Sequence, residues 1–97
     1  MAIQSFGDSR TEKVFLGVKD KEVAKLPPNL IKIAERKLDM IEAAAALQDL
    51  ASPPGNKLHA LKDELKGFHA ISINDQWRII FRWENDGPSE VEIRDYH

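Results

Sequence analysis

The most regular pattern in the chain is the alternation of apolar and polar residues from Phe68 to Trp83. Successive side chains of a β-strand point to opposite faces of the sheet, so this alternation predicts strands with two chemically different faces. Polar residues at 74–76 lie between the two arms and predict a turn, which makes the stretch a β-hairpin. In the second arm, one face takes Trp77, Ile79, Phe81 and Trp83, and the other takes Arg78, Ile80 and Arg82.

Other segments fit the same sheet. The first arm has matching phase, with His69, Ile71 and Ile73 opposed to Phe68, Ala70 and Ser72. After a turn signal at residues 85–88, the run 91–96 places Val91 and Ile93 on one face and Glu92, Arg94 and Tyr96 on the other. These runs predict three strands of an antiparallel meander. Residues 57–62 predict a strand or an extended arm that leads into it.

The N-terminal half has helical periodicity instead. Pro27-Pro28 is typical of the start of a helix. Apolar residues then recur at three- and four-residue spacing, at Leu30, Ile31, Ala34, Leu38, Ile41 and Ala45. Leu47 and Leu50 either continue this helix or begin a separate turn, and residues 52–56 break any helix.

A shorter helix and an edge segment are predicted near the N-terminus. Asp8 or Ser9 is a suitable N-cap, and the helix is expected to end near Gly17. Its apolar stripe consists of Val14, Phe15 and Val18. Residues 2–6 predict a short segment that adds an edge to the sheet.

Helices followed by a meander predict an α+β fold, with the N-terminal helices packed on one face of an antiparallel β-sheet. The chain has 97 residues, enough for one hydrophobic core, so residues 1–97 are predicted to form a single domain. The other sheet face, with Arg78, Arg82, Arg94 and Tyr96, is expected to stay open.

The amino-acid composition of the chain excludes several classes of function. The chain has no cysteine, which excludes disulfides, thiolate metal sites and a cysteine nucleophile. It has no signal-peptide pattern and no apolar run of membrane-spanning length, so a cytoplasmic protein without membrane contact is expected. The formal net charge of −2 argues mildly against a nonspecific nucleic-acid binder. Residues 53–83, however, carry five basic and three acidic residues, so a small basic excess surrounds the hairpin.

Side chains suited to acid–base or phosphate chemistry concentrate in the second half of the chain. They are Lys57, His59, Lys62, His69, Arg78, Arg82, Asp95, Tyr96 and His97. No Gly-rich phosphate loop, metal-ligand spacing or serine-nucleophile motif accompanies them. Such a set fits a metal-independent ribonuclease, in which a base activates a ribose 2′-OH, an acid protonates the leaving 5′-oxygen and cations stabilise the phosphorane.

These residues also have structural interpretations. His59, in a mixed segment, is typical of a surface histidine, and His69 falls on the apolar side of its strand. Arg82 is best explained as a charge that keeps an exposed sheet face soluble, whereas Arg78, in mid-strand, is harder to explain in this way. Residues 95–97 are typical of a frayed chain end.

Three segments resemble a known family. PPGNKLHALK at 53–62, INDQWRIIFRW at 73–83 and VEIRDYH at 91–97 are similar, in order and spacing, to the HigB branch of the RelE superfamily, the toxins of bacterial toxin–antitoxin pairs. The resemblance implies a RelE-like fold and a ribosome-dependent mRNA endonuclease that cuts the message in the ribosomal A site. It also implies a HigA-like helix-turn-helix antitoxin as partner, contact with operator DNA only through that antitoxin, and no cofactor.

The resemblance further implies roles for individual residues. It places His59, Arg78, Asp95, Tyr96 and His97 in the catalytic group. The two histidines transfer protons, without a decision on which is base and which is acid, and Arg78 faces the scissile phosphate. RNA contacts are expected from Lys57, Lys62 and Arg82.

One segment departs from the family pattern, and two other functions stay open. Where related sequences often read LKGD followed by Arg, residues 61–66 read LKDELK, without the glycine and the basic residue. The low net charge favours an alternative, a catalytically inactive RelE-like binding module that partners a helix-turn-helix antitoxin or repressor. A structural α+β domain without an active site is the third interpretation.

Overall fold

The computed structural model describes residues 3–96 and has helices followed by a four-stranded antiparallel sheet. The helices are α1 (Ser9–Leu16), α2 (Lys21–Ala24) and α3 (Pro28–Ala43). The strands β1 (His59–Ala60), β2 (Phe68–Ser72), β3 (Trp77–Glu84) and β4 (Gly87–Asp95) neighbour each other in chain order. Short 3-10 turns lie at Leu47–Ala51, Pro54–Asn56 and Asp63–Leu65. The predicted α+β fold is confirmed.

Both N-terminal helices begin at an aspartate. The Asp8 carboxylate accepts a hydrogen bond from the amide of Thr11 at 2.9 Å, and Asp20 accepts from two amides of α2 at 3.0 and 3.1 Å. Such caps satisfy amides that have no partner inside the helix. The placement of Val18 in the apolar stripe of α1 is wrong. Gly17, with φ 76°, ends the helix first and leaves Val18 43% exposed.

Helix α3 supplies the helical side of the core. It starts with Pro28, as predicted, but it ends before Ala45, because Ala44 has an extended backbone with ψ 131°. Its buried residues Leu30, Ala34, Leu38 and Ile41 belong to one cluster with Ile71, Ile79, Phe81, Val91 and Ile93 of the sheet. Full burial of each large side chain contributes about 1.5–3 kcal/mol, so this layer contact is the main source of stability.

The register of the sheet confirms the predicted faces. Ile71 of β2 lies opposite Ile79 of β3, which in turn lies opposite Ile93 of β4. All three are buried against the helices. The ladder between β3 and β4 contains a β-bulge, at which Glu90 has a left-handed φ of 51°. Strand β4 begins at Gly87, earlier than the predicted start at Val91.

Residues 3–7 run along the outer edge of β4. The amide of Gln4 donates to the carbonyl of Pro88 at 2.8 Å, and the amide of Gly7 donates to the carbonyl of Val91 at 2.8 Å. The edge segment predicted for residues 2–6 is therefore confirmed from Ile3 onward, and Ala2 lies outside the described residues.

The sheet face that points away from the helices is less open than predicted. Ala70 and Ile80, at its centre, are only 0% and 1% exposed. The long side chain of Arg82 lies across this face, with its guanidinium carbon 4.4 Å from the centroid of the Phe68 ring. The stem of an arginine covers apolar surface while its head stays in water, which alternation along the strand does not predict.

Candidate functional site

The register places the main candidate residues on the sheet face away from the helices. His59 lies opposite Ala70, which lies opposite Ile80, so β1 and β3 are two strand spacings apart, about 10 Å. Arg78 lies two residues from Ile80 along β3 and therefore on the same face, and its neighbours across the sheet are Ser72 and Arg94. Candidate residues from separate segments of the sequence thus lie on adjoining strands.

Arg78 is the cation at the centre of this group. Its guanidinium carbon lies 4.8 Å from the centroid of the Tyr96 ring, a cation–π contact that orients both side chains. Its Nε is buried without a hydrogen-bond partner, and no carboxylate of residues 3–96 forms an ion pair with it. The neighbouring Arg94, in contrast, donates from Nε to the Glu92 carboxylate at 3.2 Å. Arg78 therefore has a positive charge that no described acidic group neutralises.

His59 is exposed, and the backbone holds its ring. Nδ1 lies 2.8 Å from the carbonyl oxygen of Lys57. A carbonyl oxygen can only accept, so Nδ1 carries the hydrogen. In the neutral imidazole, Nε2 then has the free lone pair and is able to take a proton. Lys57 has a left-handed backbone with φ 50° and ψ 47°, and this conformation directs its carbonyl toward the histidine.

A cavity of about 240 Å³ lies beside these residues. Its lining consists of Lys57, Ser72, Asn74, Asp75 and Tyr96. Lys57 and Tyr96, which are distant in the sequence, thus meet at one cavity. Sequence reasoning missed the other three, because it interpreted them only as a strand end and a turn.

Asn74 stabilises that turn with its side chain. Its Oδ1 accepts hydrogen bonds from the amides of Gln76 and Trp77 at 2.9 and 2.8 Å. Ser72 donates from Oγ to the Asn74 carbonyl at 3.1 Å. A concentration of polar residues next to an arginine-bearing strand was the sequence signal for this cavity.

The C-terminal residues are joined to the same hairpin. Asp95 lies opposite Trp77 in the register and accepts a hydrogen bond from Nε2 of Gln76 at 3.1 Å. The amide of Tyr96 donates to the Gln76 carbonyl at 2.8 Å. Asp95 and Tyr96 are therefore held by the hairpin rather than frayed, and Tyr96 also lines the cavity. His97 lies outside the described residues.

Two predicted RNA contacts are not brought into this group. Arg82 forms an ion pair with Glu90, with 2.9 Å between Nε and Oε2, in addition to its contact with Phe68. Lys62 is exposed and precedes the turn Asp63–Leu65, where Asp63 has a left-handed φ of 57°. Neither residue lines the cavity.

Two further features are absent from the described chain. Within residues 3–96, no group of three His, Cys, Asp or Glu side chains is arranged to hold a metal ion. No helix in the same part of the chain has the length and apolarity that a membrane crossing requires.

Comparison with known proteins identifies the family. A family model described as a RelE-like toxin of type II toxin–antitoxin system HigB matches residues 4–97. This chain belongs to the HigB-like toxin family. A protein of Haemophilus influenzae, described as uncharacterized, is 43% identical over 70 residues, which cover 72% of this chain and 69% of that protein. Toxin HigB-1 of Vibrio cholerae serotype O1 is 41% identical over 64 residues, 66% of this chain and 67% of that toxin.

The suspected resemblance is thereby confirmed. The chain is a HigB-type, RelE-like toxin, and toxins of type II systems have a cognate antitoxin. The family match begins at residue 4 and therefore includes the helical half of the chain. The three segments that resemble the family lie in the other half. It assigns no chemistry to individual residues.

Proposed function

We propose that this HigB-like toxin is a ribosome-dependent mRNA endonuclease that cuts the message in the ribosomal A site and thereby stops translation. Its place of action is then the cytoplasm, where ribosomes translate. The observation that carries the proposal is Arg78, whose guanidinium has no acidic partner within residues 3–96 and stacks on Tyr96, a residue that lines a polar cavity. A scissile phosphate is the anion that such an arrangement fits, since guanidinium groups bind phosphate oxygens bidentately.

The proposed reaction is an internal transfer at phosphorus. The Nε2 atom of His59 takes the proton of a ribose 2′-OH, and the 2′-oxygen attacks the adjacent phosphorus. The bond from phosphorus to the 5′-oxygen breaks, and an acid protonates that oxygen, which leaves a 2′,3′-cyclic phosphate and a free 5′-OH. Arg78 stabilises the charge that grows on the phosphorane. No metal ion takes part in this proposal.

Hydrogen bonding supports the assignment of His59 as the base. The Lys57 carbonyl fixes the hydrogen on Nδ1, so Nε2 of the neutral ring is an acceptor. The sequence alone left the roles of the two histidines open. We assign the acid to His97 because the preceding residue, Tyr96, lines the cavity. Lys57 and Tyr96 then contact the RNA, Tyr96 by stacking on a base.

The partner in this proposal is a HigA-like helix-turn-helix antitoxin, through which alone the toxin meets operator DNA. Arg82 and Lys62 remain proposed RNA contacts outside the cavity. Arg82 is the weaker of the two, because Glu90 already neutralises its charge.

The test is primer extension on a message in a purified translating system, with and without ribosomes. We expect cleavage by the unaltered toxin only when ribosomes are present. Arg78→Ala should reduce cleavage by about 10²- to 10³-fold, the usual loss when one preorganised transition-state contact is removed. Arg94→Ala is the matched control, because it removes the same charge from the neighbouring strand, where Glu92 already neutralises it.

Three outcomes are informative. Loss of cleavage for Arg78→Ala with retained cleavage for Arg94→Ala supports the proposed site. Equal cleavage by the Arg78 variant and the unaltered toxin would refute the role of Arg78. If the folded, unaltered toxin does not cut with ribosomes, the endonuclease proposal fails and the inactive binding module replaces it.

A further inference from the structure

Asn56 is a buried polar residue in the turn that precedes the proposed base. It is 0% exposed and ends the 3-10 turn Pro54–Asn56, directly before Lys57. Its Nδ2 donates to the carbonyl of Leu50 at 3.1 Å and to the carbonyl of Ser52 at 3.3 Å. Both hydrogens of the side-chain amide are therefore used inside the loop, and the amide oxygen remains for a donor from another element.

Lys37 of helix α3 is that donor. Its Nζ donates a hydrogen bond to Oδ1 of Asn56. The three partners fix the orientation of the amide, because an ammonium group can only donate and the two carbonyls can only accept. Burial lowers the pKa of Lys37, and the neighbouring charge of Arg36 lowers it further. Lys37 forms no ion pair within residues 3–96, so the Asn56 oxygen replaces part of the hydration that the ammonium has lost.

The strand that carries His59 is too short to hold the histidine by itself. Strand β1 has two residues, His59 and Ala60, and lies at the edge of the sheet beside β2. His59 is exposed, and within the described chain its ring has one hydrogen bond, to the Lys57 carbonyl at 2.8 Å. Elements with few buried contacts open locally at small cost. The orientation of His59 therefore depends on the segment that precedes β1.

A short path along the backbone joins the fixed amide to the histidine. The backbone amide of Asn56 donates to the Pro53 carbonyl at 2.9 Å, and that of Lys57 donates to the Pro54 carbonyl at 3.1 Å. These bonds and the Asn56 side chain hold the peptide group before Lys57. The dihedral angles of Lys57, φ 50° and ψ 47°, then direct its own carbonyl toward His59. If Asn56 is released from α3, this peptide group gains freedom to rotate and the carbonyl leaves Nδ1.

We infer that Lys37 and Asn56 are positioning residues for the proposed base. By attaching the loop to α3, they keep the Lys57 carbonyl at Nδ1 of His59 and leave Nε2 free for the ribose 2′-OH. This inference rests on the proposed nuclease activity. Neither residue contacts RNA in it, since Asn56 is buried and Lys37 belongs to the helix that packs on the other face of the sheet.

The experiment measures the tautomer of His59 and the rate of cleavage for the same variants. Lys37→Met removes the ammonium group but keeps an unbranched side chain. Nitrogen-15 NMR of the imidazole, well below the melting temperature of each variant, should show hydrogen on Nδ1 in the unaltered toxin and a mixture of tautomers in Lys37→Met. The ribosome-dependent cleavage rate at saturating toxin should fall by about 10- to 100-fold, since a small displacement of a catalytic group has an effect of this order.

Lys32→Met is the matched control, because it removes the same charge from an exposed position of the same helix. It should leave the tautomer and the saturated rate unchanged. A weaker attraction to the ribosome would raise the toxin concentration at half-maximal rate in both variants and is thereby recognised. Asn56→Ala removes the other partner and should reproduce both effects of Lys37→Met. Where this buried substitution prevents folding, Lys37→Met alone decides.

The outcomes separate positioning from a purely structural role and from the nuclease itself. If Lys37→Met lowers the melting temperature but leaves the tautomer and the saturated rate unchanged, the pair only stabilises the fold and the inference is overturned. A lower rate with an unchanged tautomer also overturns it, because Lys37 then acts without His59. So does a changed tautomer with an unchanged rate, because His59 is then not the base. If the unaltered toxin does not cleave, the nuclease proposal fails, whereas a tautomer that changes in Lys37→Met still supports the link to His59.

Discussion

The position of His59 depends on the backbone of Lys57. Lys57 follows the 3-10 turn Pro54–Asn56, and its amide donates to the Pro54 carbonyl at 3.1 Å. In its left-handed conformation it turns its own carbonyl to within 2.8 Å of the His59 ring. Such a conformation is uncommon for residues other than glycine, asparagine and aspartate. The strain at Lys57 is thus linked to the orientation of a proposed catalytic base.

Two substitutions of Lys57 separate its backbone from its charge. Lys57→Gly keeps the left-handed conformation accessible, whereas Lys57→Val disfavours it because valine is β-branched. Both remove the ammonium group. We expect nitrogen-15 NMR of the imidazole to show hydrogen on Nδ1 of His59 in the unaltered protein and in Lys57→Gly, but a mixture of tautomers in Lys57→Val. Cleavage should be lower for the valine variant than for the glycine variant.

Identical spectra and identical cleavage for the two Lys57 variants would contradict the positioning role of the carbonyl. A hydrogen on Nε2 in the unaltered protein would exclude His59 as the base in the proposed arrangement. The sequence could not supply this contact. It depends on a backbone dihedral angle at Lys57 that no residue type dictates.

Asp63 is a second residue whose backbone conformation could not be predicted from the sequence. Residues 61–66 lack the glycine that related sequences often have, which from sequence alone suggests an altered loop. Asp63 nevertheless adopts a left-handed φ of 57°. Aspartate enters this region more readily than most other residues, because its short side chain bonds locally to the backbone. Asp63 therefore has a backbone conformation that glycine adopts readily.

At the scale of elements, Thr11 joins the first helix to the last strand. Its Oγ1 accepts a hydrogen bond from the amide of Ile93 at 2.8 Å, and the residue is 0% exposed. The Ile93 amide of β4 thus donates to a helix side chain and not to a neighbouring strand. It couples residues 82 positions apart in the chain.

Replacement of Thr11 tests this link. Thr11→Val keeps the shape of the side chain but leaves the buried Ile93 amide without an acceptor, which costs about 1–3 kcal/mol. We expect urea denaturation to show a loss of this size in the free energy of unfolding. Thr11→Ser is the control, because it keeps the hydroxyl and loses only a methyl group. If serine is as destabilising as valine, packing rather than the hydrogen bond explains the effect.

Long helices and strands with a regular apolar pattern can be predicted from this sequence, whereas short ones cannot. The faces of β2 and β3 followed from strict alternation, and α3 from its repeating apolar positions, with Pro28 at the start. Helix α2 was missed, since four residues are too few to show a period, although Asp20 was available as a cap signal. The early start of β4 was missed because Gly87 and Pro88 are typical of turns.

At the scale of the whole molecule, one ionic cluster joins the helices. Lys13 of α1 pairs with Asp20 at 2.7 Å and with Glu22 of α2 at 3.0 Å. The hydrogen bonds that Lys13 donates to Asp20, which has the larger effect, and to Glu22 raise the pKa of Lys13. The hydrogen bond from Lys13 is the main cause that lowers the pKa of Asp20 and the pKa of Glu22.

These shifts predict the pH dependence of stability. A carboxyl with a lowered pKa stabilises the fold above its ordinary pKa of about 4, and this contribution is lost as the pH falls through the lowered value. A lysine with a raised pKa stabilises the fold below about 10.4, and its contribution is lost as the pH rises through the raised value. Lys13→Met should therefore destabilise the protein mainly between about pH 5 and pH 10.

Denaturation by urea across this range is the measurement, at low salt because screening weakens exposed ion pairs. The difference between Lys13→Met and the unaltered protein should shrink as the pH falls through the lowered pKa values of Asp20 and Glu22. Lys19→Met is the control, since Lys19 lies in the adjoining loop and forms no described ion pair. A difference that is independent of pH would point to the packing of the Lys13 stem instead of its charge.

The sequence indicates several candidate residues of the site, but it does not indicate how they are arranged in space. Alternation assigned Arg78 to the face away from the core, and the meander placed it next to the terminal strand. The hydrogen bond between His59 and the Lys57 carbonyl depends on turn geometry, and so does the cavity that Asn74 and Asp75 line. The sequence pattern does not predict this geometry. The exposure of Val18 also differs from the sequence pattern, which favours Val18 in the apolar stripe of α1.

The segment along β4 has a consequence for self-association. A nine-residue strand at the border of a sheet is a template on which a second chain can add its own strand, the first step of aggregation or domain swapping. Residues 3–7 occupy that template from within the same chain. The opposite border is the two-residue strand β1, too short to propagate pairing. The N-terminal segment thus occupies backbone groups of β4 that a second chain would need in order to add a strand there.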